Sequence, residues 1–390
     1  MHKLFNLGCK LNQYEGFCLL EKFLYIEDLV IVNTCCVTKE AEVKSFKKYR
    51  HAIKKFPKSY IIVTGCLCKL YPEKFSQAHQ VIDTTQRNHL IRDVFPAPEK
   101  SRYFLKIEDG CNGVCTFCIV SKVRSTIESK PLTDIEKEIN WAVSCGYKEI
   151  VLVGANIGLY GIDVGLRLTD LLKMLKKVSN LPRVRLSSIE PQFINAELVE
   201  ILKELPFCRH FHIPIQSADD LVLCRMGRNY DVFHLKKIID LIRKNFVDVA
   251  ISGDVIVGFP GEGEEEFLNT YTFVESHPFT HLHIFRYSPR PGTEALTLGD
   301  PVPYEEKKRR LWRLKILIAG KNYQFRKGLL NEIFDIIVEK NNGIPSGLTD
   351  NYIRVEFDGD YGESSLLHVK ITDVTEDRTV GDVVNASRDN

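Results

Sequence analysis

The chain has 390 residues, 44% of them hydrophobic, enough to bury a full core and form two or three domains, and its composition excludes disorder. Twelve cysteines are many for an intracellular enzyme yet far below the roughly 8–10% of a disulfide scaffold, so the thiols are expected to be reduced and available to metal. No segment approaches the roughly 18 apolar residues of a membrane span, so a soluble, cytoplasmic protein with no membrane partner is expected.

Residues 1–98 alternate short apolar runs with helical patterns. Strands are predicted at 2–6, 28–33, 59–64 and 80–83, which implies a small parallel α/β sheet with crossover helices. A cysteine follows each of the first three strands: Cys9 in FNLGC, Cys35 in VIVNTC and Cys66 in IIVTGC. The carboxyl ends of parallel strands share one edge, so three cysteines far apart in sequence should gather there. Cys36 and Cys68 are alternatives, set aside on the strand-end position and on the resemblance described below. Cys18 falls in a helical pattern at 13–24, where packing is the simpler role. The competing reading makes all three strand-end thiols ordinary core residues. Residues 39–58 carry eight Lys/Arg against two Glu on a predicted helix at 38–56, a charge that suits a phosphate backbone as well as a solvated face. Residues 84–102, with Pro96 and Pro98, read as a linker.

From residue 102 to about 288 strand and helix patterns alternate. Strands are predicted at 103–107, 149–153, 183–187, 210–213, 249–257 and 281–285, with helices at 133–144, 168–178, 195–204, 230–244 and 264–275. Six such units imply a partial (β/α)6 barrel, whose chemistry belongs at the carboxyl ends of the strands. The loop after the first strand reads DGCNGVCTFC, residues 109–118. Its thiols Cys111, Cys115 and Cys118 are spaced to wrap one inorganic cluster. A four-iron cubane needs four ligands, so a loop offering three leaves one iron open to a non-protein ligand. Zinc sites usually come as two Cys-x2-Cys pairs, and a partial zinc site is the plain alternative. Three thiols with an aromatic, Phe117, before the last resemble the signature of the radical S-adenosylmethionine (SAM) superfamily. Asn156, Ser188, Glu190, Gln216 and Gly258 follow the second to fifth strands, and together suit a ligand with an amino acid and a ribose; singly each is an ordinary turn or cap residue.

Residues 301–330 carry nine Lys/Arg against two Glu, on a predicted bridging helix at 301–321. Strands at 332–338, 352–357 and 366–372, separated by turns such as NNG and DGD, predict a small antiparallel β-barrel.

As a whole the chain is similar to the radical-SAM methylthiotransferases. The likeness rests on LGCKLNQYE (7–15), VNTCCVT (32–38), IEDGCNGVCTFCIV (107–120), LSSIEP (186–191), DVIVGFPGE (254–262), YSPRPGT (287–293) and LTDNYIRV (348–355). The first and last point to the branch acting on threonylcarbamoyladenosine in tRNA. The resemblance implies an α/β chain of three modules: a cluster domain at 1–98, a radical-SAM core at 99–325 and a β-barrel called TRAM at 326–390. It implies two 4Fe-4S clusters, one on Cys9, Cys35 and Cys66 and one on Cys111, Cys115 and Cys118, with SAM contacted by Phe117, Asn156, Ser188, Glu190, Gln216 and Gly258. The implied reaction is methylthio insertion at adenine C2 beside the anticodon, after hydrogen abstraction by a deoxyadenosyl radical. The implied partners are the tRNA anticodon loop and an electron donor such as flavodoxin or ferredoxin, with the protein acting as a monomer.

Other readings keep the chemistry on another modified adenosine or a ribosomal protein, or make the chain an iron-sulfur binding or electron-transfer protein without catalysis. Two departures from the family pattern stand out. After the third cluster cysteine, SKVRSTIESK (121–130) keeps Arg124 and Lys130 but has Glu128 where Arg is expected, which bears on substrate contact. Residues 326–390 carry seven Lys/Arg against thirteen Asp/Glu, so an RNA grip falls to a local face or to the two basic helices.

Overall fold

Apolar runs with a crossover helix after each of the first three build the amino-terminal sheet. Its strands are β1 (His2–Asn6), β2 (Leu29–Thr34), β3 (Tyr60–Gly65) and β4 (Gln80–Ile82), all parallel and in sequence order. Every residue of β2 is buried, as a central strand covered on both faces requires. The helices are α1 (Lys10–Lys22), α2 (Lys39–Lys55), α3 (Cys66–Leu70) and α4 (Thr84–Ile91). Thr38 caps α2, its hydroxyl oxygen accepting from the Ala41 N–H at 3.1 Å. The helix α4 overturns the expectation of a linker from residue 84. Asp83 and Gln86 form a capping box that starts it, and Arg87 and Ile91 anchor it in the interior. The computed structural model describes residues 1–97, 101–299, 302–341 and 343–386, so Pro98, the expected boundary at 98/99 and the expected helix start at Pro301 lie outside the described residues.

The second unit contains β5 (Tyr103–Lys106), β6 (Glu108–Asp109), β7 (Glu128–Ser129), β8 (Glu149–Val153), β9 (Arg183–Leu186), β10 (His210–His212), β11 (Ala250–Val257) and β12 (Phe279–Arg286). Six of these match the expected barrel strands within about two residues. They form two parallel ladders, β5-β8-β9 and β10-β11-β12, joined by the isolated bridges Val184 to Phe207 and Ser188 to His212. The ribbon β6-β7 brackets the cysteine loop. Around the sheet lie α5 (Val120–Val123), α6 (Leu132–Ser144), α7 (Leu168–Leu175), α8 (Ala196–Lys203), α9 (Asp220–Arg225), α10 (Val232–Asn245) and α11 (Glu264–Ser276).

The helix α12 (Tyr304–Lys327) packs on β12 through Leu314 and Ile318. Much of its positive charge is matched inside the protein. Arg310 pairs with Glu262 at 2.7 Å, and Arg309 and Arg313 each reach Glu264 at 2.8 Å. These pairs neutralise part of the charge of this bridging helix.

The carboxyl-terminal barrel is closed in the order β13-β14-β15-β17-β16, with β13 (Ile333–Asn341), β14 (Ile344–Thr349), β15 (Arg354–Glu356), β16 (Leu366–Val374) and β17 (Thr379–Ala386). It is not wholly antiparallel, because Glu356 and Val380 pair in parallel to close it. This barrel plugs the amino ends of β9 and β10. The Arg183 guanidinium donates to the Leu348 carbonyl at 2.7 Å, Arg185 donates to the Thr349 and Asp350 carbonyls at 3.0 and 2.9 Å, and Tyr352 stacks on His210 at 4.2 Å. The LTDNYIRV motif is therefore a docking hairpin.

Candidate metal centres at the domain seam

Between β6 and α5 the chain carries Cys111, Cys115 and Cys118. Backbone hydrogen bonds fold the loop on itself, Cys118 N–H to Cys115 carbonyl at 3.1 Å and Cys111 N–H to Arg124 carbonyl at 3.0 Å. Each sulfur has a donor: Gly113 N–H to Cys111 at 3.3 Å, Val120 N–H to Cys118 at 3.4 Å, and the Arg228 guanidinium to Cys115 at 3.0 Å. A turn after α9 supports the loop from outside, Thr116 N–H donating to the Met226 carbonyl at 3.1 Å. Gly227 in that turn has φ +69°, and a Cβ there would stand 2.5 Å from the Val114 carbonyl, so only glycine fits. Burial, reinforced by the neighbouring sulfurs, pushes the Cys111 thiol up and the Cys118 thiol to about 12. Three sulfurs carried by one short loop, each with an N–H donor, form a donor set that suits a multiply charged cluster cation.

The other trio is assembled by the sheet. Cys9 caps α1, Cys35 follows β2, and Cys66 opens α3. Gly65, with φ +101°, makes that last turn possible, since a Cβ there would lie 2.2 Å from the Thr34 carbonyl. The Ser45 hydroxyl receives the Cys35 N–H at 2.9 Å, and a Cβ on Gly8 would meet the Cys35 sulfur at 3.1 Å. Burial, with the sulfurs of Cys66 and Cys9, pushes Cys35 up to about 11. The fully buried Cys36 hydrogen-bonds Cys66; that bond holds Cys66 below the ordinary thiol value, with Arg124 and Arg87 assisting, and raises Cys36. Cys36 thus lies behind the trio, Cys68 is buried in the same cluster as Cys36 and Cys66, and Cys18 is buried in the larger core.

Between the two trios lies a buried charge network that the sequence reading did not assemble. Glu15 of α1 receives both Arg124 amino groups at 2.9 and 2.6 Å and Lys106 at 2.7 Å, and is paired with Arg87 of α4. Asp109 receives Arg124 at 2.6 Å, Lys106 at 3.0 Å and the Asn88 amide at 2.5 Å. Arg87 also donates to the side-chain oxygens of Asn12 and Asn33, each at 3.1 Å. Burial alone would raise both carboxyls, but Arg124 and its neighbours hold Glu15 at about 2 and Asp109 far below its usual range. Arg124 therefore gives its carbonyl to the Cys111 loop, while its positive charge helps to lower the Cys66 thiol, linking the two sites. Lys130 is likewise internal, donating to Tyr14 at 3.2 Å and pairing with Glu138. Both side chains are thus engaged by carboxylates inside the protein. A second clasp joins Arg290, after β12, to Glu42 of α2 at 2.5 Å.

The remaining expected residues lie at the carboxyl ends of the barrel strands. Asn156 takes the Gly158 N–H at 3.2 Å and hydrogen-bonds Cys111. Ser188 is exposed beside the bridge to His212. Glu190 pairs with Arg228, which also holds Cys115. Gln216 keeps a left-handed φ of +62°, unusual for a residue with a side chain. The α-carbon of Gly258 faces Lys307, where a Cβ would lie 2.3 Å from the lysine stem. Phe117 packs edge-on against Phe259 at 6.1 Å, in a small apolar cluster with Ile256. Arg228 and Ile256 were missed; only their position after or within rim strands could have flagged them.

Residues 105–274 match the radical SAM superfamily, and residues 2–86 match the uncharacterized protein family UPF0004. The chain is 36% identical, over 93% of each sequence, to the threonylcarbamoyladenosine tRNA methylthiotransferase MtaB of Thermotoga maritima. It is 34% identical to the MtaB of Bacillus subtilis, over 90% of this chain and 89% of that one. In fold it resembles the radical SAM methyltransferase TsrM from Kitasatospora setae, with TM-score 0.56 and 11% identity over 74% of this chain and 76% of that chain. The chain belongs to the radical-SAM methylthiotransferase family, enzymes that work with 4Fe-4S clusters and SAM.

Proposed function

We propose that the protein inserts a methylthio group at C2 of N6-threonylcarbamoyladenosine beside the anticodon of tRNA. The observation that carries this reading is the pair of thiol trios coupled through Arg124, because a reaction needing both a radical and a sulfur calls for two adjoining sites. The substrate follows the activity for which the relatives are named. An aromatic C–H bond at that position is too inert for acid-base chemistry, and the adenine must be splayed from its loop to enter a barrel mouth.

In this reading Cys111, Cys115 and Cys118 would hold one 4Fe-4S cluster, with SAM at its fourth iron position, and Cys9, Cys35 and Cys66 would hold the other. When bound, these groups supply a radical that takes hydrogen from carbon, together with the sulfur and the methyl to be transferred. Asn156, Ser188, Glu190 and Gln216 offer SAM amide, hydroxyl and carboxylate partners. Phe117 gives it an apolar wall, and Gly258 its place on the rim after β11. Arg228 fixes Glu190 relative to Cys115, so ligand and cluster loop stay in register. The partners are the tRNA anticodon loop and an electron donor such as flavodoxin or ferredoxin, and the protein acts as a cytoplasmic monomer. Among the described residues no helix is long and apolar enough to cross a membrane.

Mass spectrometry of tRNA nucleosides from cells with and without the gene tests this. The methylthio form of threonylcarbamoyladenosine should vanish without the gene. An unchanged level would move the same chemistry to another modified adenosine or to a ribosomal protein.

A further inference from the structure

The strand β12 ends the barrel sheet, and its burial alternates. Thr280 and Leu282 are buried, whereas His281, His283 and Phe285 stay exposed on the face that carries Asp254 of β11. Their rings touch in a row: His281 and His283 are 5.0 Å apart, His283 and Phe285 6.4 Å, and His212 of β10 lies 5.3 Å from His283. The row is held in place. Asp254 Oδ1 takes His283 Nδ1 and His212 Nε2, both at 3.2 Å, and His212 Nδ1 meets the Ser252 hydroxyl at 3.0 Å. This fixes the His283 ring and leaves its Nε2 without a partner among the described residues. The isolated bridges Ser188 to His212 and Gln216 to Val255 place the row on the strands whose carboxyl ends carry the expected SAM contacts.

A second feature adjoins the row. Arg286 reaches Glu40 at 3.5 Å, and Arg290 reaches Glu42, so α2 begins beside the end of β12. Along α2, Lys44, Lys47, Arg50, Lys54 and Lys55 are exposed, with no carboxylate partner among the described residues. An aromatic row next to an unneutralised basic face is the combination that holds single-stranded nucleic acid, bases stacked on rings and phosphates tracked by charge.

We propose that Phe285 and His283 form the seat on which the splayed base and its neighbour stack, while α2 tracks the flanking phosphates. This rests on the tRNA reading and names the surface that performs it. The test is equilibrium binding of a modified anticodon stem-loop to the cluster-loaded enzyme, with iron content confirming that each variant is folded. Phe285→Ala and His283→Ala should each weaken binding roughly 5- to 100-fold, as loss of one stacked base does. Phe285→Tyr, which keeps the ring, should restore it. Lys44→Glu with Lys47→Glu should weaken binding and flatten its salt dependence. Wild-type affinity in both ring variants overturns the proposal. So does a stoichiometric non-iron metal that disappears in His283→Ala, since one ligand atom each from His212, Asp254 and His283 lies within 4.8 Å of the others. Wild-type protein that binds no tRNA overturns the underlying reading instead, and that result is separable from loss confined to the ring variants.

Discussion

The two thiol trios reach a similar set of ligand atoms by opposite routes. Cys111, Cys115 and Cys118 are neighbours in one loop, so chain connectivity keeps their sulfurs close before the rest of the barrel forms. Cys9, Cys35 and Cys66 meet only when β1 pairs with β2 and β2 with β3 in parallel register. Their electrostatics differ as well. The loop sulfurs are served by two backbone N–H groups and Arg228, whereas the sheet-built trio lies near two buried guanidiniums, Arg87 and Arg124. The contrast teaches that a local motif can specify a site alone, while a distributed one needs the fold and the domain seam to hold it.

Single-trio variants break that comparison most sharply. Cys118→Ala should abolish SAM cleavage while the amino-terminal domain keeps its iron, read by product assay and iron analysis. Cys35→Ala should retain SAM cleavage but deliver no methylthio group; equal loss of both activities would refute the division of labour.

The seam gives the next largest effect. Arg124→Ala leaves Glu15 to Arg87 and Lys106, and Asp109 to Lys106 and Asn88, and should cost about 3 kcal/mol in denaturant unfolding. A loss below about 1 kcal/mol would show that the seam is not a shared support. The same network sets an acid limit. The folded pKa of Glu15 is depressed from 4.5 to about 2, so its contribution is full above the unfolded value and is lost as pH falls through that window. Melting temperature should hold near neutrality and drop below about pH 4, more shallowly in Glu15→Gln. The smallest effect is expected far from both trios, where Tyr352→Ala removes the ring stacked on His210. It should cost about 1 kcal/mol and leave iron content unchanged.

Much of this was legible because backbone rules act locally. Apolar runs with crossover helices marked the parallel strands, the C-x3-C-x2-C spacing marked one trio, and the repeated strand-then-cysteine pattern marked the other. The polar helix α4 looked like a linker, although the DTTQ capping box at 83–86 was the available signal. The strands β14 and β17 escaped because Gly347 and Gly381 interrupt their alternation, and barrel closure rather than local preference secures them. The role of Arg124 was hidden for a different reason. A basic residue just after a cluster loop looks exposed until Glu15, 109 positions earlier, is known to lie against it. The partial pairing of the α12 charges was hidden in the same way, since Glu262 and Glu264 are distant in sequence.

The most direct test of two separately held clusters is Mössbauer spectroscopy on anaerobically reconstituted, iron-57-labelled protein and its single-trio variants. The account predicts two 4Fe-4S clusters in the wild type and one in each of Cys35→Ala and Cys118→Ala. A single cluster in the wild type, or zinc in place of iron at Cys9, Cys35 and Cys66, would contradict it.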